Sequence, residues 1–359
     1  FILMGEIMGI SNIAKNMIDL ASALVGWMRG GLAHVNVVTQ MFLAEMSGSA
    51  VADAAVTSKI FIPQMSKRGF PPEFSATVTS AAATLGIIIP PSIPMVLYGV
   101  STNSSIKDLF LAGILPGILL GVAFIMTNYI FAWKKNYPTD NHFELKRLGW
   151  ALYYAILPMT VPIVVVGSLI FGIVTPTEAA GLGVLLCILF LSRRPIESWP
   201  KLKHALISTV KQTSVVMMII AGSAVIGQFL ANEQLPQKIA VHLSVLIDTP
   251  ILLLLAINIF LLILGMVLHA SAAIIIVVPI LLPIVMQAGI DPIHFGVIVC
   301  LNLGIGQQTP PVASVLLTVC TVSNIKIQGV MKYMKWYLLT MFIVLLIVTF
   351  VPELSLWIR

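Results

Sequence analysis

Ser47-Gly48-Ser49-Ala50-Val51-Ala52-Asp53, followed some forty residues on by Ile89-Pro90-Pro91-Ser92-Ile93-Pro94, has a counterpart later in the chain. The counterpart opens at His269-Ala270-Ser271-Ala272 and closes at Gln308-Thr309-Pro310-Pro311-Val312-Ala313. One constant step of 220 residues carries Pro63 onto Pro283, Gly69 onto Gly289, Pro72 onto Pro292, Gly86 onto Gly306 and Pro90-Pro91 onto Pro310-Pro311. Gly and Pro decide backbone shape, so matched Gly and Pro predict two copies of one backbone path. In each copy a short polar interruption of apolar sequence precedes a double-proline interruption. Paired broken elements at matching places in two halves are the sequence sign of a transporter's binding site.

The composition sets the environment. Hydrophobic residues make up 58% and charged residues 9%, with a mean hydropathy of +1.02. That leaves too little charge to cover a water-soluble surface. The apolar runs are continuous rather than alternating, which excludes a β-barrel. The chain is therefore an all-α polytopic membrane protein, and 359 residues hold roughly a dozen spans or half-spans at about 20 residues each. The net charge of +6 reflects Lys and Arg gathered in cytoplasmic loops and not nucleic-acid binding. Cys187, Cys300 and Cys320 sit in apolar runs and fit no CxxC spacing, which argues against a disulfide or a metal site. The chain opens at Phe1 in helix-like sequence, as expected of a piece whose N-terminal region is missing.

Read in order, 1–135 is a first repeat, 136–204 a linking region and 205–359 a second repeat. Ser11 to Gly30 has the period of an amphipathic surface helix. Residues 31–66 read as a re-entrant helical hairpin with its tip at Ser47–Ala50, and 72–100 as a helix broken at Pro90-Pro91. Such irregular backbone at membrane depth must be buried in protein or face a water-filled cavity. Ile106 to Trp133 is a span. Leu148 to Val174 and Thr177 to Leu191 are linking spans. Between them Thr175-Pro176-Thr177-Glu178 reads as a capped helix start. Arg193, Arg194, Lys201 and Lys203 mark a loop, and Val210 to Leu230 a span. Pro236 to Ile247 repeats the surface helix, 251–286 the hairpin and 292–322 the broken helix, and Lys326 to Pro352 closes the chain. Placing the loops rich in Lys and Arg in the cytoplasm orients the two hairpins oppositely, so the repeats are inverted. The hairpins and broken helices would form a mobile transport body. The surface helices with the spans near 106–133, 148–191 and 326–352 would form its fixed scaffold.

Four segments now carry a resemblance: Ser47–Ala55, Ile89–Met95, Thr175-Pro176-Thr177-Glu178-Ala179-Ala180 and Thr309-Pro310-Pro311-Val312. In this order they resemble the large membrane subunit of tripartite ATP-independent periplasmic (TRAP) transporters, over essentially the whole chain. The resemblance implies sodium-coupled uptake of an organic acid (a dicarboxylate, sugar acid or sialic-acid-like carboxylate) across the bacterial inner membrane. It also implies an elevator-type mechanism, with a small four-helix membrane subunit and a periplasmic substrate-binding protein as partners and with sodium ions and no organic cofactor. The sequence departs from the family's usual residues at His269-Ala270-Ser271, where Asp-Thr-Thr is frequent, and at Ala313, where Gly is common.

Sodium suits unwound carbonyls and hydroxyls, and half-helix N-termini suit an anion beside it. One expected sodium site takes Ser47, Gly48 and Ser49 with backbone near Gly86 and Pro90. The other takes Ala270 and Ser271 with backbone near Gly306, Thr309 and Pro310. Substrate is expected among Ser49, Ser92, His269, Ser271, Gln308 and Thr309. Asp53 and Glu45 flank the first tip, and Asp53 reads equally as a helix cap. His34, Glu6 and Lys59 read as structural or interfacial, and Glu178 as a cap. No Lys or Arg stands beside either tip or either Pro-Pro, with Lys59 nearest, which predicts that no basic side chain meets the substrate. The rival readings are a stand-alone sodium/organic-anion symporter, a channel and an intramembrane protease. GxSxG, HExxH and P-loop motifs are missing from the sequence, which argues against a protease and against ATP as the energy source.

Overall fold

A computed structural model describes residues 1–9, 13–137, 139, 143–191, 195–233 and 249–357. The surface helix expected at 236–247 and the Arg193-Arg194 pair lie outside these residues. The described chain is built of helices. Four of them are long and apolar enough to cross a membrane: Pro72–Thr102, Ile106–Lys135, Ala270–Gln287 and Ile327–Phe350. Leu145–Ile156 and Pro158–Ile170 make a fifth if taken as one span bent by 61°, with Pro158 removing the hydrogen bond that would keep it straight. Five further apolar helices are shorter, among them Pro250–Gly265 and Pro292–Gly306. At 1.5 Å per residue these reach only about 23 Å, short of a hydrocarbon core of about 30 Å.

Local chemistry places the ends. Ser49, Ser92, Ser105 and Asp291 each cap a helix by accepting a backbone N–H with the side chain. Thr175 and Glu178 bond reciprocally, Thr175 N to Glu178 Oε2 at 2.7 Å and Glu178 N to Thr175 Oγ1 at 3.4 Å, the expected capping box ahead of Pro176–Leu191. Two boundaries differ from the sequence reading. Lys201 and Lys203 fall inside a single 38-residue helix, Pro195–Asn232, which absorbs the expected loop. The amphipathic helix is Ile13–Val25, and its buried Met17 and Leu20 lie on an element packed against the 31–47 and 145–170 helices.

The 220-residue step reappears in the helix bounds. It carries Ala50–Lys67 onto Ala270–Gln287 and the start of Pro72–Ala83 onto that of Pro292–Gly306. The packing exchanges partners between the copies. Ala50–Lys67 lies against Ser314–Ser323, and Ala270–Gln287 lies against Ile93–Thr102. Each helix after a tip thus rests on the far half of the other copy's broken helix. Gln308 fixes this exchange at the centre: its Nε2 donates to Ser80 O at 2.7 Å, and its Oε1 accepts from Ser80 Oγ at 2.5 Å.

The spans 106–135 and 327–350 pack against each other and against the broken helices. Phe74 of the first broken helix lies 5.5 Å from both Phe131 and Tyr333, ring to ring. Tyr337 donates to Asn128, whose Nδ2 reaches Ala33 O at 3.0 Å, and Thr127 bonds Thr340 at 2.9 Å. Buried aromatic and amide contacts of this kind hold two helices as one body. The helices 2–9, 13–25, 145–170, 176–191 and 195–232 form a second group, tied by Asn16 to Tyr154 O at 3.1 Å and by Gln212 to Glu6, in which 13–25 also packs on 31–47 and 195–232 also packs on 270–287.

Two substitutions test this packing with opposite signs. A Cβ on Gly306 would lie 2.4 Å from the carbonyl carbon of Gly265, so Gly306→Ala should destabilise by about 1–3 kcal/mol through overpacking. Ala313 sits in the left-handed region at φ 49°, where an L side chain costs about 1 kcal/mol, so Ala313→Gly should raise the melting temperature. Thermal unfolding of the purified variants in detergent measures both. The opposite order of melting temperatures would contradict the packing.

Candidate functional site

The chain opens where its residues forbid a helix. Gly48 takes φ 60°, and a Cβ there would stand 2.8 Å from Pro91 O. Ser49 is extended and starts the next helix by capping Ala52 N at 3.5 Å. Pro90 and Pro91 have no N–H to continue the first broken helix, and their peptide bond is cis, as is Pro310-Pro311. Ser92 closes that gap, donating to Ile87 O at 2.5 Å and accepting from Met95 N at 3.5 Å. The gap and the tip then complete each other: Ile93 N donates to Gly48 O at 3.3 Å. In the second copy Val312 N donates to Met266 O at 3.1 Å, and His269 Nδ1 caps Ser271 N at 3.4 Å. The first proline break is buried, whereas Pro310, Pro311 and Val312 are exposed.

Both tips reach one cavity of about 580 Å³. Gly48, Ser49 and Ala50 line it from the first copy, and His269, Ser271 and Gln307 from the second. Ser314 and Thr318 also line it, with Thr318 Oγ1 donating to Ser314 O at 2.8 Å. Lys211 and Gln212 enter from the 195–232 helix. The expectation that no basic residue stands near the site is thereby corrected. Lys211 is exposed, lines the cavity and makes no hydrogen bond or ion pair to the described residues. Its signal in the sequence is a charge at the mouth of an otherwise apolar run, Val210 to Leu230, and the run was read only as a span.

Of the expected residues, Ser49, Gly48, His269 and Ser271 line the cavity, while Gly86, Pro90, Ser92, Ala270, Gly306, Gln308, Thr309 and Pro310 stand off its wall. Gly86 lies directly behind the first tip, where a Cβ would come 2.9 Å from Asp53 Oδ2 and 3.5 Å from Ala50 N. Gly306 backs the other arm of the second tip, against Gly265. Gln308 is committed to Ser80, and its neighbour Gln307 takes the wall. Thr309 Oγ1 donates back to Ile305 O at 3.0 Å. Asp53 is buried in the first turn of its helix, whose cap is Ser49 and not Asp53. The side chains at 45 and 47 lie outside the described set. His34 bonds Arg29 O at 3.0 Å, Glu6 accepts from Gln212, and Lys59 is exposed.

Helix dipoles, hydroxyls and one ammonium converging on a cavity inside an apolar helical body can bind a small anion and release it unchanged. That is the build of a membrane transporter. The family model of the tripartite ATP-independent periplasmic transporter DctM component matches residues 1–354. The 2,3-diketo-L-gulonate TRAP transporter large permease protein of Escherichia coli is 34% identical over 99% of this chain and 84% of its own. The C4-dicarboxylate TRAP transporter large permease protein of Pseudomonas aeruginosa is 37% identical over the same shares. In fold the chain is similar to the crystal structure of the Alcanivorax borkumensis YdaH transporter, with a TM-score of 0.62 at 17% identity over 99% of this chain and 87% of that one. The chain belongs to the DctM family of TRAP transporter large permeases. It is a multi-pass protein of the bacterial inner membrane and not an enzyme.

The wall can be probed by thiol chemistry, since Cys187, Cys300 and Cys320 are free and buried. Ser49→Cys and Ser271→Cys should react with a small water-soluble maleimide, while Ser92→Cys should stay unmodified. Mass spectrometry of the labelled protein reads the outcome. Equal labelling of all three, or of Ser92→Cys alone, would contradict the cavity.

Proposed function

We propose that this chain carries an organic acid through the cavity together with sodium. The acid would be delivered by a periplasmic binding protein, and the chain would work beside a small four-helix membrane subunit. The observation that carries the reading is the junction of both chain breaks at one cavity with Lys211 on its wall. The relatives' named cargoes, a sugar acid and C4-dicarboxylates, are carboxylates, and an ammonium with half-helix N-termini complements a carboxylate. Sodium would use the tip and break carbonyls near Gly48 and Gly86 and near Ala270 and Gly306. Several of these already accept one hydrogen bond, but a carbonyl keeps a second lone pair.

The moving body in this reading comprises the tips, the broken helices and the spans 106–135 and 327–350. The frame is the cluster of 2–25 and 145–232. The equal helix bounds and the exchanged packing of the two copies support an inverted repeat with re-entrant hairpins. The buried first break and exposed second break are what an alternating-access site closed on one side would present.

Proteoliposomes holding the complete transporter, with its binding protein outside, should take up cargo under an inward sodium gradient and not under an equal potassium gradient. Lys211→Gln should raise the cargo KM about tenfold while leaving the sodium requirement in place. Uptake that is equal in sodium and potassium would overturn the sodium reading. An unchanged KM in Lys211→Gln would remove Lys211 from the site.

A further inference from the structure

We infer that His269 holds the organic acid in the cavity through its Nε2–H and takes no part in holding the sodium ion. His269 has this role only if the cavity carries an organic acid, as read above.

The second tip fixes the form of the ring. His269 stands at φ −65° and ψ 143° just before the Ala270–Gln287 helix and caps it, with Nδ1 3.4 Å from Ser271 N. A backbone N–H can only donate, so the ring atom that faces it must be an acceptor with a lone pair. Turning the ring over would set a C–H against that N–H and lose the cap. Protonating the ring would set N–H against N–H. One form alone makes the bond: the neutral imidazole with its hydrogen on Nε2.

That hydrogen meets no acceptor among the described residues, where the bond to Ser271 N is the one hydrogen bond the ring makes. The residue is exposed and lines the cavity. Both nitrogens are thereby committed, and neither keeps a lone pair for a cation. Nor do the described residues include a cluster of three or more His, Cys, Asp or Glu that could hold a metal ion. An open N–H suits an acceptor oxygen, and a carboxylate oxygen most, because a bond to an ionised acceptor is about twice as strong as a neutral one. Lys211 lines the same cavity and is likewise only a donor. The two come from different elements, the second tip and the 195–232 helix. The carbonyls of the tips and breaks, which can only accept, are left for sodium.

Two substitutions separate the work of the two nitrogens. Asn is among the best helix caps, so His269→Asn keeps an acceptor for Ser271 N but is too short to carry an N–H to where Nε2 stood. His269→Ala removes both. Equilibrium binding of radiolabelled succinate, gluconate and sialic acid to the purified transporter in saturating sodium gives Kd, which does not depend on how much protein survives purification. Thermal unfolding reports the cap. His269→Asn should melt with the wild type yet raise the Kd of the acid that binds about tenfold. The sodium concentration for half-maximal ²²Na⁺ binding at saturating acid should stay unchanged. His269→Ala should raise Kd as much and also melt earlier. A wild-type Kd in His269→Asn would reduce the ring to a cap and overturn the proposal. A shifted sodium half-saturation with an unchanged Kd would assign His269 to the ion and overturn it equally. Failure of the underlying reading shows elsewhere, in a wild type that binds none of the three acids, and would take this assignment with it.

Discussion

A helix that stops inside a membrane must hand its last backbone groups to something other than water. Everything central in this fold follows from that constraint. Helices of 18 residues or fewer begin or end near Gly48, Pro91, Met266 and Pro311. An unpaired carbonyl or amide costs several kcal/mol in hydrocarbon. The chain meets the demand by bringing each tip to its own copy's proline break, so that Ile93 N finds Gly48 O and Val312 N finds Met266 O. Two defects satisfy each other, and the same backbone that cannot be helical becomes available to a ligand.

The exchange of partners between the copies gives those breaks a rigid setting. Ser80 and Gln308 clasp across the centre with both ends of the amide used. Asn302 Nδ2 reaches Asn258 Oδ1 at 2.8 Å, and Asn258 reaches Thr349 at 3.1 Å, tying the second broken helix to its own neighbours. Each of these polar groups is buried and would be costly without its partner. The aromatic cluster around Phe74 then draws in the spans 106–135 and 327–350. The cavity sits where this body meets the 195–232 helix, and that helix supplies Lys211.

Much of this was legible in the sequence because Gly, Pro and capping residues act locally. The places where helices stop and the Thr175–Glu178 cap can be read from residues within a few positions of one another, and matching those places in order gives the 220-residue step. What escaped depends on tertiary phase. Beyond a break, nothing local decides whether Gln307 or Gln308 faces the cavity; that is fixed by Ser80, 228 positions away. Lys211 could not be placed because its helix reaches the site only through packing. The grouping of 106–135 with 327–350 depends on rings from distant segments meeting, and composition carries no trace of that.

The central claim is that ion and organic anion share one cavity built from the two breaks. Linkage makes this measurable on the purified chain, because a ligand that favours a second one must be favoured by it to the same degree. Equilibrium binding of ²²Na⁺ would be measured with and without a panel of organic acids. The account predicts saturable sodium binding whose affinity rises about five-fold or more with the cognate acid, and loses that rise in Lys211→Gln. Sodium binding indifferent to every acid, or no saturable binding at all, would contradict it.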